Sequence, residues 1–186
     1  MVINNIETDE LIELFERVND IFLRKQEEFI CSGVSERSWY TPMAILFYEE
    51  IKKNLSGYYV DTEYNRNRSS NSGLKTIKNG EDKVINVTCD LIIHSRGKIK
   101  EQDNLICMEM KKSYASNKSK QHDKERLECL TKDAFDNIWS YDGKTLPEHV
   151  CRYKLGIYYE INISKKTVFI EYYRRGEKIK EYSLKF

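Results

Sequence analysis

"NVTCDLIIH", residues 86–94, and "NLICMEMKK", residues 104–112, are the two stretches whose reading decides the fold. Each contains an apolar run of the length and β-branched content that fills a buried strand. Each also carries charge where such a strand tolerates it least. Asp90 stands at the head of Leu91, Ile92 and Ile93, and the second run ends in Glu109, Met110, Lys111 and Lys112. The runs are close in sequence, so an antiparallel hairpin is the economical pairing. Folding the linking segment "SRGKIKEQD" between Ile99 and Lys100 sets Asp90 opposite Glu109, within side-chain reach. Lys111 lies two residues beyond Glu109 and therefore shares its face. The geometry is register-dependent, because a slip of one residue turns Asp90 to the other face.

Two carboxylates held together in a half-buried place repel unless a proton or a cation lies between them. A hard divalent ion with oxygen ligands, Mg²⁺ or Mn²⁺, meets that requirement. The adjacent Lys111 ammonium can then orient a water or stabilise charge developing on a phosphate.

Working outward, Thr8 is placed to cap a helix from about Asp9 to Phe29, with Leu11, Phe15, Val18 and Phe22 on one stripe and Gly33 as its break. A second helical pattern follows, capped at Ser35 or starting with Thr41 as cap and Pro42 in its first turn. Its stripe is Trp39, Met43, Leu46, Phe47, Ile51 and Leu55, and Gly57 stops it. "YYVDTEYNR" has the alternation of a strand, whereas "NRSSNSGLKTIKNGEDK" has no period and reads as a loop. "VINVTCDLIIH" reads as one strand. After "NLICMEMKK", a basic loop gives way to a helix with Leu127, Leu130, Ala134 and Ile138 on its stripe. "YKLGIYYEINI", "TVFIEYYRR" and "IKEYSLKF" are three further strands, the last two joined at Gly176. Helix, helix, three strands, helix, then strands is the order of a mixed α/β domain.

An Asp heading an apolar strand, a hairpin, and Glu-x-Lys closing the next strand resemble the PD-(D/E)xK nuclease superfamily. The resemblance implies a restriction-endonuclease-like core of helix, three strands, helix and strand over residues 35–161. Residues 1–33 are then an N-terminal helical extension and 162–186 additional C-terminal strands, all in one domain, 1–186. It also implies a metal-dependent nuclease hydrolysing phosphodiester bonds in nucleic acid, with DNA the expected class. The alternative is a catalytically silent module of the same fold that binds nucleic acid or a protein partner.

By the same resemblance, Asp90, Glu109 and the main-chain carbonyl of Met110 bind Mg²⁺ or Mn²⁺, and Lys111 positions the attacking water. A Glu on the helix before the first strand often completes such a site, and Glu36 is the candidate, with Glu63 a further one. The Pro usual before the Asp is Cys89 here. The polar helix face that follows Glu-x-Lys includes Asp123, Lys124 and Arg126, read as phosphate-facing. Arg66, Arg68, Lys112, Lys118, Lys120, Lys124 and Arg126 flank the site in sequence and are the candidates for sequence-independent phosphate contacts. No separate recognition domain is visible, so strong sequence specificity calls for a homodimer or a larger assembly.

Composition is compatible with this and decides little. Hydrophobic residues make up 40% of the 186-residue chain, enough for a core. Its 31 basic and 30 acidic residues leave a net charge of +1, so charge distribution must identify partners. No apolar run approaches the roughly 18–20 residues of a membrane span. The N-terminal "MVINNIETDELIEL" lacks the pattern of a secretory signal, so a soluble cytoplasmic protein is expected. The five cysteines form no CxxC pair and read as reduced structural thiols. The three histidines show no ligand spacing, and no phosphate-loop motif is present.

Overall fold

A computed structural model describes residues 6–64, 76–78, 84–86, 88–134 and 151–186. Helix α1 spans Thr8–Cys31 and α2 spans Glu36–Asn54. Thr8 is not the cap of α1. Glu7 caps it through a reciprocal pair with Glu10, and the Thr8 hydroxyl instead donates to the Lys154 carbonyl across the molecule. The α1/α2 break falls at Gly33, whose φ of 81° suits a residue without Cβ. Helix α2 begins at Glu36 and runs through Pro42 without a restart at Thr41. Trp39, Met43 and Phe47 anchor it by burial on both sides of the proline, and packing there outweighs the lost backbone hydrogen bond.

The strands follow as β1 (Tyr59–Thr62), β2 (Thr76–Lys78), β3 (Val84–Asn86), β4 (Leu91–His94) and β5 (Asn104–Lys112). Helix α3 (Asn117–Thr131) then leads to β6 (Leu155–Asn162), β7 (Thr167–Arg174) and β8 (Glu177–Lys185). Six strands form one mixed sheet in the order β1-β4-β5-β6-β7-β8, parallel between β5 and β6 and antiparallel elsewhere. Strands β2 and β3 pair as a separate two-stranded sheet. "VINVTCDLIIH" is therefore not one strand. Its first part pairs with residues that sequence pattern assigns to a loop, and only Leu91–His94 enters the main sheet.

Alternating side chains send the sheet's two faces to different partners. Leu91, Ile93, Met108, Met110, Tyr159 and Ile170 pack with α1 and α2, around Phe15 and Trp39. Ile92, Cys107, Tyr158 and Tyr173 pack with Leu127 and Leu130 of α3. The main sheet is thus a central layer between two helices and one. Helix α3 ends at Thr131, so Ala134 lies beyond it, and Ile138 falls outside the described residues. Strands β7 and β8 turn through Arg175 and Gly176, both with positive φ, the two-residue geometry that matches strand twist. Among the described residues, no helix is long and apolar enough to cross a membrane.

Candidate functional site

The hairpin register places the first two candidate residues. Leu91 pairs with Met108, Ile92 with Cys107 and Ile93 with Ile106, and the same register extended one step sets Asp90 opposite Glu109. A bulge between Ile93 and His94 shifts the pairing only at the far end, away from the site. Asp90 and Glu109 follow Ile92 and Cys107 onto the face that α3 covers, and Lys111 lies two residues further on it.

The Asp90 Oδ2 accepts the Met110 peptide N–H at 2.7 Å, which ties the two strands together where the ladder ends. The Glu63 N–H donates to the Asp90 carbonyl at 3.2 Å from the other side. The Tyr40 phenol of α2 is a further hydrogen-bond partner of the Asp90 carboxylate. Burial raises the pKa of Asp90, against the Met110 N–H, Tyr40 and Lys111, which favour its ionised form. Glu109 is 1% exposed, and burial followed by the Asp90 charge raises its carboxyl well above the usual range. The Arg126 guanidinium opposes this shift, with Nε 2.9 Å from Glu109 Oε1.

Lys111 is the second centre of the cluster. Its Nζ lies 2.7 Å from Asp123 Oδ2 and 3.9 Å from Glu36 Oε2. Burial works against the ammonium, but Asp123, Glu36 and Asp90 together raise its pKa, so it stays protonated through neutral pH. Glu36 is fixed by its other oxygen, which accepts the Lys112 peptide N–H at 2.7 Å. Asp123 bridges Lys111 and Arg126 from the buried face of α3. Burial and the charges of Asp90, Glu36 and Glu109 all raise the Tyr40 phenol, so three carboxylates lie within electrostatic reach of one ring.

Other candidates take different positions. Glu63 turns its carboxylate to Arg37, Oε1 to Nε 2.6 Å, in a largely exposed pair; only its backbone touches Asp90. The Met110 side chain packs with the α1/α2 core, on the opposite face from Glu109. Lys120, Lys124 and Arg126 do not present an open phosphate-binding face. Lys120 meets Glu160 at 3.0 Å, Lys124 meets Glu171 at 2.9 Å, and Arg126 meets Glu109. The sheet carries carboxylates on the face that α3 covers, and the helix supplies the matching cations. Lys112 is also turned inward, its ammonium between the Trp39 and Tyr114 rings and 3.4 Å from the Gly33 carbonyl. Lys118 is exposed on α3. Arg66 and Arg68 lie outside the described residues.

Tyr40 and the bridging role of Asp123 are what sequence reading missed. The Asp in "HDKERLECL" reads from sequence as part of a phosphate-facing helix face rather than as a bridge to Lys111, and no spacing rule links Tyr40 to a strand 50 residues later. Four carboxylates, Glu36, Asp90, Glu109 and Asp123, surround the two side-chain cations Lys111 and Arg126. Among the described residues, no three His, Cys, Asp or Glu side chains form a ready-made metal cage. No protein-family model matches this chain, and no curated protein matches it.

Proposed function

We propose that this chain is a Mg²⁺- or Mn²⁺-dependent phosphodiesterase acting on nucleic acid, DNA being the expected substrate, on a restriction-endonuclease-like core. The observation that carries this reading is the pairing of Asp90 with Glu109. Burial raises both carboxyls, the Asp90 charge raises Glu109 further, and the Lys111 ammonium stands beside Asp90. The donor set suits a hard ion that keeps several waters and takes only one or two carboxylates. Asp90, Glu109 and the Met110 carbonyl would hold it, and when bound it would polarise a phosphoryl oxygen and acidify a water.

The protein's own groups have separable tasks. Lys111, held as an ammonium by Asp123 and Glu36, orients the attacking water and stabilises negative charge on the phosphorane-like transition state. Asp123 and Arg126 are positioning residues, the first fixing Lys111 and the second fixing Glu109. Tyr40 and the Met110 N–H set the direction of the Asp90 carboxylate.

The test is cleavage of single- and double-stranded DNA and RNA by the purified chain in Mg²⁺ or Mn²⁺, beside Asp90→Asn and Lys111→Met. Metal-dependent cleavage that falls about 100-fold or more in both variants is the expected result. Equal cleavage by wild type and variants, or cleavage that survives chelation, overturns it. The second reading, a silent module, draws on the Arg126–Glu109 pair, because a guanidinium already neutralises one of the two carboxylates. Nucleic-acid binding without cleavage under any divalent ion would decide for it.

A further inference from the structure

The turn that leaves the candidate site carries an aromatic ring that the core does not use. Tyr114, on the segment 113–116 between β5 and α3, is 77% exposed, more than any other large hydrophobic side chain among the described residues. Three peptide links join Lys111 to Tyr114, so their Cα atoms are at most about 11 Å apart. At about 3.4 Å of rise per stacked nucleotide, that distance spans about three nucleotides of one strand.

A single exposed ring is ordinary on a protein surface. Tyr114 differs in that the backbone around it is fixed. The Ser113 N–H donates to the Ile161 carbonyl at 2.9 Å, extending the β5–β6 ladder by one step. The Ala115 N–H donates to the Lys112 carbonyl at 3.0 Å, and Lys120 Nζ donates to the Ser113 carbonyl at 2.6 Å. Ser116 then caps α3, its hydroxyl oxygen accepting the Ser119 N–H at 3.2 Å.

The ring is also oriented. The Lys112 ammonium lies 5.6 Å from its centroid and 5.5 Å from that of Trp39, so one cation sits between two aromatic rings. Lys112 is 7% exposed, and among the described residues its ammonium meets the Gly33 carbonyl and no carboxylate. One side of the Tyr114 ring is thus turned to a buried cation and the rest to solvent. Lys118 is exposed in the first turn of α3, four residues on, and forms no ion pair among the described residues. A ring with an open face beside a lysine available to phosphate is the pairing that holds single strands, where bases stack on aromatic side chains and cations track the backbone.

We infer that Tyr114 is a base-stacking residue of the candidate site and that the substrate class is single-stranded DNA, with an unpaired base on the open face of the ring and a neighbouring phosphate on Lys118. In a duplex each base is already stacked on its neighbours, so the ring gains this contact only where a step is unstacked. The inference rests on the proposed function for the presence of nucleic acid at this site, and not for its cleavage.

Fluorescence anisotropy of the full chain with a labelled oligodeoxythymidylate of about 12 nucleotides, in chelator so that no strand is cut, tests it. Tyr114→Ala should bind roughly 5- to 150-fold more weakly than wild type, the loss of one stacked base, while Tyr114→Phe, which keeps the ring, should bind like wild type. An abasic strand of equal length keeps the phosphates and removes the partner of the ring. Wild type should bind it as weakly as Tyr114→Ala binds the thymidylate, and Tyr114→Ala should not distinguish the two strands. Lys118→Gln should weaken binding of both strands alike and lower the salt slope by about 0.7. The inference is overturned by wild type that binds both strands equally, by Tyr114→Ala that binds like wild type, or by a blunt duplex bound more tightly than the single strand. Absence of binding to any strand at about 100 µM and low salt overturns it as well. Metal-dependent cleavage alongside any of those results refutes the stacking role and leaves the phosphodiesterase reading in place. Binding that depends on Tyr114, with no cleavage under any divalent ion, supports the stacking role and refutes the phosphodiesterase reading.

Discussion

Replacing Arg126 with Met removes the charge beside Glu109 while keeping much of the apolar stem. The Glu109 side chain is 1% exposed and has Asp90 and Asp123 as its anionic neighbours, so the variant leaves a buried carboxylate with no guanidinium. Removing one partner of a buried pair costs about 3–5 kcal/mol, and the partial exposure of Arg126 places this case near the lower end, about 3 kcal/mol. In a chain of this size that corresponds to a fall of roughly 6–12 °C in Tm. The pH dependence is the diagnostic part. A carboxyl whose folded pKa is raised contributes stability below its unfolded value of about 4.3, and that stability is lost as pH rises through the folded value. Burial and Asp90 already raise Glu109, and loss of the guanidinium raises it further. The deficit of variant against wild type should therefore be small near pH 4.5 and larger at pH 8, in urea denaturation followed by tryptophan fluorescence. Adding Glu109→Gln to the variant should restore most of the loss. A deficit of equal size across that pH range, or none, would refute the account of this pair.

Asp123→Asn removes the charge that fixes Lys111 and part of that which fixes Arg126; we expect about a 100-fold fall in cleavage rate, for a misplaced ammonium, with KM little changed, read by steady-state kinetics. Gly156→Ala should lower stability by about 1–3 kcal/mol, because a Cβ there would meet Thr131 Cγ2 at 2.9 Å and Tyr173 Cβ at 3.1 Å, and thermal melts check it. None of the five cysteines is in a disulfide, and only Cys31 is not buried, while burial pushes the Cys151 thiol up to about 12. A thiol reagent should therefore modify Cys31 first in the native protein and all five in denaturant; fast native modification of Cys151 would contradict its burial. Divalent ions at millimolar concentration should raise Tm in the wild type and not in Asp90→Asn, measured by differential scanning calorimetry.

The hairpin was legible because two apolar runs of equal weight flank one linker, and only one register buries both on the same faces. That register carries Asp90 and Glu109 with it, so the first half of the cluster followed from strand pattern alone. Helix α3 was not legible in the same way. Its sequence is dominated by charge, which normally marks a solvated face, yet Lys120, Lys124, Arg126 and Asp123 meet Glu160, Glu171, Glu109 and Lys111 beneath it. A polar interface of this kind has no hydrophobic period to reveal it, and the matching charges lie on strands 12 to 47 residues away. Glu63 shows the converse. Its strand does lie beside the hairpin, but its φ of 49° turns the chain at that point and the side chain leaves toward Arg37. The β2–β3 pairing was hidden because Thr76–Lys78 is only three residues long within a polar segment.

The parallel contact between β5 and β6 has a kinetic consequence. Antiparallel neighbours such as β6, β7 and β8 are joined by tight turns and can zip locally, whereas β5 and β6 meet only after residues 113–154 have been closed into a loop containing α3. Asp90, Glu109 and Lys111 lie on the early side of that closure, and the α3 residues that orient them lie within it. Long-range pairing is the slow step in domains of mixed topology. On this order of events the charge cluster is completed late in folding, so recovery of the proposed cleavage activity during refolding should track the slowest phase rather than the formation of the hairpin.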